Sequence, residues 1–460
     1  METALDRKRR KDFERARALS SEFKKREKWS RRVLLLRFQK QQLDRLVRYA
    51  VAHSSFYRDL YNEISFDHPV NLVDLPVINK QSIMENFDGV ITDQRLKIDD
   101  INDYIENLSF DDYYFGEYRV LTTTGSTGLR GVFVYGREAW SVILAAVNRA
   151  SSLMGLPAIE GMKIASIGAN TPLHLSYRRA VSMDTGSHDY RRFEAKDRID
   201  ALVNALNDFQ PDYIHAYATI ASLLASEQQE GRLRIKPSTV VTSAEVLDTA
   251  RELIRQAWHI EPFNSYSTTE GALAIECAHR TGMHLFEDLG IFEVVDDHDC
   301  PVPDGMPGYK ILFTNLYQYV QPVIRYEMSD MMTVTDAPCP CGCSFRRIVF
   351  MEGRNDDIIT MVDARGKIVS IPPYFFHGPM AKLSQVREYQ IIQKKDGLHF
   401  RIVLKQGIEK KTVAESIKKM MRREFESYKL VCPDIHVAFV HRIVRDSSMM
   451  GKVKLVKKEI

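Results

Sequence analysis

The sequence has no long apolar run. Its longest obvious one, Ala139 to Val147, falls far short of the roughly 20 residues a bilayer-crossing helix needs, so no membrane span is expected. The first 30 positions are basic and carry no apolar segment of the kind a secretory leader requires, so no leader is expected either. Cysteine is scarce, with 6 in 460 residues, and three of the six crowd into Cys339, Cys341 and Cys343. That distribution excludes a disulfide scaffold and favours reduced or metal-bound thiols and a cytoplasmic address. No internal repeat is evident, which excludes solenoid and propeller arrays. There is no nucleophile-elbow sequence, and no phosphate loop closes with Gly-Lys-Ser/Thr, which excludes a Walker A site.

What is there is ordinary globular material: 44% hydrophobic and 27% charged residues. The length allows about three domains, or one large domain and a small one. The net charge of +3 hides an asymmetry, because residues 1–40 carry 15 Lys and Arg against 6 Asp and Glu. The run Arg7-Lys-Arg-Arg-Lys11 could meet an anionic surface. Without an aromatic platform or zinc-finger spacing, a solvated or frayed amphipathic helix is the simpler reading, and a nucleic-acid partner is not expected.

Hydrophobic periodicity organises the rest. Leu43 to Tyr61 reads as a helix and turn. Asp197 to Phe209 sets Ile199, Leu202, Val203 and Leu206 at helical spacing, and Leu247 to Trp258 does the same with Ala250, Leu253 and Ile254. Short β-rich runs lie at Lys163–Ile167, Thr239–Thr242, Ile291–Val295 and Lys310–Thr314. The alternation predicts an α/β fold with parallel pairing, its sheets flanked by helices. The last hundred residues differ. Strands at Tyr389–Gln393 and His399–Leu404, a helix at Lys411–Phe425 and a strand through Ile435, Val437 and Phe439 predict a small α+β domain. The expected division is a basic extension over 1–40, a large domain over 41–354 and a small mobile domain over 355–460.

Two segments suggest phosphate chemistry. In Leu121-Thr-Thr-Thr-Gly-Ser-Thr-Gly-Leu-Arg-Gly131, three glycines free the backbone N–H groups to face an anion, and hydroxyls add donors. A Gly/Ser/Thr-rich hairpin turn is the alternative reading. In Ser265-Tyr-Ser-Thr-Thr-Glu-Gly271, Tyr266 can stack on a base, Thr268 and Thr269 can donate to phosphate, and Glu270 can hold Mg²⁺. A ligand-free capping box would explain the same Ser/Thr-then-Glu pattern.

Taken in order, these segments resemble those of acyl-adenylate-forming enzymes, and more closely the phenylacetate–CoA ligase branch. Thr242-Ser-Ala-Glu245 lies between them. Ile324-Arg-Tyr-Glu-Met-Ser-Asp330, Gly353-Arg-Asn-Asp-Asp-Ile358 and Gly451-Lys452 follow, so the resemblance runs from about residue 40 to the end. It implies ATP, Mg²⁺ and CoA as cofactors. Thr123, Thr124, Gly125, Ser126, Thr127 and Gly128 would cradle the phosphates. Ser243, Ala244, Glu245, Ser265, Tyr266, Ser267 and Thr268 would line the nucleotide and acyl pocket. Thr269 would contact the α-phosphate and Glu270 would hold Mg²⁺. Asp330 would accept from the ribose hydroxyls, with Arg354 beside it. Asp356 would be the hinge, and Lys452 the cation brought in for adenylation. The loop departs from the pattern at Leu129-Arg130, and Ser329 stands where many relatives have glycine before the Asp.

The cysteines are the remaining chemical signal. Cys339-Pro-Cys341-Gly-Cys343 and the upstream Cys277-Ala-His279…His284 can together supply a tetrahedral Cys₃His set. The resemblance implies a structural Zn²⁺ on Cys277, His284, Cys339 and Cys341; free buried cysteines are the alternative. Cys300 and Cys432 read as ordinary buried thiols. His174, His215, His377 and Tyr217 are candidate pocket walls, each with a plain structural reading beside it.

The function expected is ATP-dependent adenylation of a small carboxylic acid, an aromatic one, with acyl transfer to CoA. A non-CoA acceptor (a carrier protein, an amine, or AMP transfer to a cofactor) stays open, as does a zinc-stapled binding protein without catalysis. The identity of the acid and the oligomeric state, a homodimer among the options, are not readable from the sequence.

Overall fold

Thr239–Ser243 is buried at every residue, as a central parallel strand must be when helices cover both faces of its sheet. The computed structural model describes residues 3–28, 32–123, 130–157, 160–169, 171–195, 197–243, 248–354, 357–363, 365–366, 368–371, 374–381, 383, 385–405, 407–444 and 454–459. In it this strand belongs to a nine-stranded sheet. The order across that sheet is Asp330–Thr335, Arg347–Arg354, Met283–Leu285, Leu273–Glu276, Phe263–Ser267, Thr239–Ser243, Tyr213–Tyr217, Lys163–Gly168 and Asp189–Glu194. From Phe263–Ser267 to Asp189–Glu194 the pairing is parallel. From Phe263–Ser267 to the other edge it is antiparallel.

The flanking helices follow the apolar spacing. Ile199–Phe209 buries Leu202, Val203, Leu206 and Phe209 and ends on Gln210 in the left-handed region, φ 52°. Arg137–Leu153 buries Trp140, Ile143 and Leu144. The large unit is therefore α/β, as predicted. One expectation fails: Gly290–Val295 and Lys310–Asn315 do not join the parallel sheet. They pair antiparallel with each other in a separate sheet completed by Tyr326–Met328. No helix lies between the two strands. Without a crossover helix to return the chain, the antiparallel arrangement is the accessible one.

The C-terminal unit has its own core. Helix Lys410–Ser427 buries Val413, Ile417, Met421 and Phe425, a strict four-residue repeat. They meet Ile391, Leu398, Phe400 and Ile402 of its sheet. The predicted strand–strand–helix–strand order is present, extended by Val456–Lys458, which pairs parallel with Val386–Lys394, and by a hairpin of Ile359–Val362 with Ile368–Ile371.

The basic N-terminal segment is a long helix, Ala4–Glu27, started by a capping box between Thr3 and Asp6. It does more than solvate charge. Buried Asp12 accepts from Arg137 Nε at 2.8 Å and from Tyr113 Oη at 2.5 Å, and Arg9 pairs with Asp111 at 2.7 Å. Near its end Phe23 sits 4.5 Å from the guanidinium of Arg149. Arg149 itself is bidentate to Asp288, at 2.7 Å on each oxygen, with both side chains wholly buried. Among the described residues no helix is long and apolar enough to cross a membrane.

Candidate active site

Ligands of open α/β sheets bind beyond the carboxyl ends of the parallel strands. Here those ends are Gly168, Glu194, Tyr217, Ser243 and Ser267. After Ser267 the chain makes the turn Thr268–Gly271 and returns as the antiparallel strand Leu273–Glu276. The turn is clamped from three sides. Tyr135 Oη donates to the Thr269 carbonyl at 2.6 Å, Asn315 Nδ2 to the Glu270 carbonyl at 2.9 Å, and Tyr317 Oη to the Gly271 carbonyl at 3.1 Å. Gly271 has φ +101°, and a Cβ there would lie 2.2 Å from Asn315 Nδ2, so no other residue fits this turn. Thr268 Oγ1 accepts from the Ala272 N–H at 3.3 Å. The backbone of Thr269 and Glu270 is thus held in place. Glu270 is buried, and burial together with its carboxylate keeps the Tyr326 phenol protonated.

Asp330 and Arg354 begin and end neighbouring strands and face each other in register. Arg354 Nε contacts Asp330 Oδ1 at 3.2 Å, and Tyr266 Oη donates to Asp330 Oδ2 at 2.9 Å. Burial and the adjacent Asp330 carboxylate push the Tyr266 phenol well up, and Asp330 pushes the Arg354 guanidinium up. Three residues chosen separately from sequence therefore form one cluster, in which a carboxylate with unfilled acceptor sites is fixed from two directions.

Other candidates have structural work. Ser265 Oγ donates to the Thr242 carbonyl at 2.8 Å, and Ser243 is the buried register partner of Ser265. Thr123 Oγ1 accepts from the Gly131 N–H at 3.1 Å, closing the base of the hairpin. Arg325 pairs with Glu293 at 3.0 Å and donates to the Leu75 carbonyl at 2.6 Å, a scaffold role. Thr124, Gly125, Ser126, Thr127, Gly128, Ala244, Glu245, Asp356 and Lys452 lie outside the described residues.

The sulfur and imidazole ligands converge as expected. Donor atoms of Cys277, His284, Cys339 and Cys341 all lie within 4.8 Å of one another. Cys277 Sγ is 3.6 Å from Cys339 Sγ, and Cys341 Sγ is 3.3 Å from His284 Nε2. His284 Nδ1 reaches the Phe345 carbonyl at 3.2 Å, which leaves Nε2 as the lone-pair nitrogen aimed at the sulfurs. Burial lowers the His284 pKa to about 4, so the ring is neutral, as a ligand must be. Three sulfurs, one nitrogen and an outer hydrogen bond fit a closed zinc site. Cys343 is buried outside this group. Cys300, expected to be buried, is exposed on a turn in which the Asp296 carboxylate accepts from the His298 and Cys300 N–H groups.

A cavity opens beside Ser265, Tyr266 and Ser267, walled by Arg137–Leu153 and by Leu175–Met183. His215 lines it, as one of the candidate pocket histidines. Tyr217 does not: it is buried and its hydroxyl accepts from the Ala169 N–H at 3.2 Å. His174 caps helix Leu175–Met183 by accepting from the Ser176 N–H. Sequence reasoning missed Asn315, Tyr317 and Arg179, none of which sits in a distinctive motif.

No protein-family model matches the chain. It is 26% identical to a phenylacetate-coenzyme A ligase of Thermus thermophilus over 389 residues, 78% of each chain. It is 21% identical to Protein CapK of Staphylococcus aureus, covering 89% of this chain and 86% of that one. A solved 2-hydroxyisobutyryl-CoA ligase in the postadenylation state, bound to R3-HIB-AMP, superposes with a TM-score of 0.72 at 19% identity, over 92% of this chain and 89% of that one. The fold is that of the adenylate-forming ligases.

Proposed function

We propose that this chain, phenylacetate–CoA ligase-like in sequence and an adenylate-forming ligase in fold, activates a carboxylic acid with ATP and passes the acyl group to CoA. The observation that carries the proposal is the Tyr266–Asp330–Arg354 cluster set against the clamped Thr269–Glu270 turn at the carboxyl end of the sheet.

The chemistry has two parts. A carboxylate is a poor acyl donor because its oxygen leaves badly. Attack by that oxygen on the α-phosphorus of ATP forms a C–O–P linkage, breaks the α–β phosphoanhydride and releases pyrophosphate. Negative charge builds at phosphorus, so the site needs fixed donors and cations. Thr269 would donate to the α-phosphate. Glu270 would hold Mg²⁺, which when bound neutralises phosphate charge. Asp330 would accept from both ribose hydroxyls, with Tyr266 and Arg354 keeping its carboxylate oriented. Lys452, on the small domain, would bring one more cation, and Asp356 would be the hinge for its departure. In the second part the CoA thiol attacks the acyl carbon, AMP leaves with the electron pair of the broken C–O bond, and the thiol proton is lost. The cysteine–histidine group would hold a structural Zn²⁺, away from the chemistry.

The test is release of AMP from ATP and Mg²⁺ with a panel of acids, with and without CoA, and with Lys452→Ala and Glu270→Gln as controls. AMP formed with acid and CoA, and lost in both variants, is the expected result. Acid-dependent pyrophosphate exchange that CoA does not convert to acyl-CoA would keep adenylation and replace the acceptor.

A further inference from the structure

Resting on the reading that this chain adenylates an acid, we infer that the acid carries a second, distal carboxylate, and that Arg179 binds it inside the acyl cavity.

Arg178 and Arg179 are adjacent on helix Leu175–Met183 and have opposite fates. Arg178 turns into the protein and pairs with Asp111 at 3.0 Å. Arg179 lines the cavity, and among the described residues no carboxylate pairs with it. Its guanidinium Nη2 lies 3.3 Å from His215 Nε2. A guanidinium has no acceptor, so His215 Nε2 must accept, with the ring neutral. Burial, and then the charge of Arg179, holds His215 in that state by lowering its pKa to about 3. Burial also lowers the proton affinity of Arg179 itself, yet a guanidinium stays charged. The cavity therefore contains a half-buried cation next to a neutral ring. None of its lining residues is an Asp or Glu. Such a charge is retained where an anion completes it.

The same cavity is lined by Ser265, Tyr266 and Ser267, which lead into the Thr269–Glu270 turn. The strand of Tyr266 and the strand of His215 are separated by one strand, about 10 Å at the usual spacing. An acid whose first carboxylate reacts at the turn would place a group some 10 Å away against Arg179. The cavity is also walled by Ile143, Val147, Leu273 and Phe286, apolar groups that suit a ring or a short methylene chain. Tyr190 and Tyr213 also line the cavity, and burial raises both phenols, so they stand beside Arg179 as neutral hydroxyls. The remaining edge of the guanidinium offers paired N–H groups that match a carboxylate bidentately. The substrate class is a dicarboxylic acid of this span.

The experiment compares matched pairs, 4-carboxyphenylacetate against 4-carbamoylphenylacetate and suberate against its monoamide. Wild type is expected to prefer the diacid by about 100-fold or more in kcat/KM for AMP release, since a site built for a polar group rejects the analogue lacking its charge. In Arg179→Met that ratio should collapse toward one, and Arg179→Lys should retain part of it. A wild-type ratio near one, or a preference for the monoamide, overturns the inference. If no acid releases AMP, the adenylation reading fails separately. Titration calorimetry of the same pairs without ATP then decides the Arg179 site: diacid binding in wild type that is lost in Arg179→Met supports it, and equal or absent binding overturns it. If Arg179→Met does not fold, the wild-type ratio carries the test.

Discussion

Tyr266 and Asp330 lie on strands four steps apart in the sheet, yet the hydroxyl of one is 2.9 Å from the carboxylate of the other. In a flat sheet four steps cover about 19 Å. The antiparallel half must therefore curl back over the carboxyl ends of the parallel half, and the nucleotide site proposed here sits where the two meet.

That contact makes Asp330 the residue whose loss should most affect ATP. Asp330→Ala removes hydrogen bonds to a charged acceptor, each on the order of 1.5–3 kcal/mol, so the KM for ATP should rise roughly 10- to 100-fold. Tyr266→Phe keeps the carboxylate and loses one of its two supports, and should produce a smaller rise. ATP binding by calorimetry and AMP release against ATP concentration measure both.

The two halves of the reaction should separate at Lys452. Lys452→Ala should lower acid-dependent pyrophosphate exchange by about 100- to 1,000-fold, the cost of removing one donor from a charge-building step. The same variant supplied with preformed acyl-AMP and CoA should make thioester at close to the wild-type rate. Equal loss in both assays would assign Lys452 a general role.

Metal analysis of protein purified without chelator should find one zinc per chain. Cys339→Ser should abolish it, and treatment with a strong chelator should lower the melting temperature of wild type while leaving Cys339→Ser unmoved. Because the site joins the 277–284 segment to the 339–345 segment, metal loss should act through folding rather than through chemistry.

Acid should destabilise the protein partly through His215. In the folded chain it stays neutral down to about pH 3, because burial and the charge of Arg179 disfavour its cation; in the unfolded chain it protonates near pH 6.5. The unfolded state thus binds the extra proton between those values, and stability falls as pH falls through that window, by at most about 1.4 kcal/mol per pH unit. Urea unfolding at pH 7 and pH 5 should show a drop that is smaller in His215→Gln by up to about 2 kcal/mol.

Arg149 and Asp288 should be unequal to their double replacement. Arg149→Met alone leaves the buried Asp288 carboxylate with only its longer contact to Arg26, at 3.7 Å, and should cost about 3–5 kcal/mol, whereas Arg149→Met combined with Asp288→Leu should cost less. Urea unfolding of the three variants gives the coupling directly.

Residues with local signatures were easily found from sequence, and the rest were not, for physical reasons. Glu270, Asp330, Arg354 and the four residues of the proposed zinc site sit in short motifs whose residue types answer a chemical need. The small-domain helix declared itself because Val413, Ile417, Met421 and Phe425 repeat strictly. Arg179 left no trace, because two adjacent arginines on a helix look alike until the fold turns one toward Asp111 and the other toward a cavity. The antiparallel pairing of Gly290–Val295 with Lys310–Asn315 was hidden because an apolar strand has the same pattern in either direction. The anchoring of Ala4–Glu27 was hidden by its charge: its solvated face holds most of the lysines and arginines, and its buried contacts rest on single residues such as Asp12 and Phe23.

The same helix sets a timetable for biosynthesis. Its end meets Asp288 through Arg26 at 3.7 Å, and the Ser344 N–H donates to the Glu27 carbonyl at 2.9 Å. Ser344 follows Glu27 by 317 positions. At about 5–20 residues per second the ribosome needs roughly 15–60 s to supply that partner. For that interval the first helix, already packed on Arg137–Leu153, waits with its end short of the Ser344 partner, and the large domain closes only when three quarters of the chain has emerged.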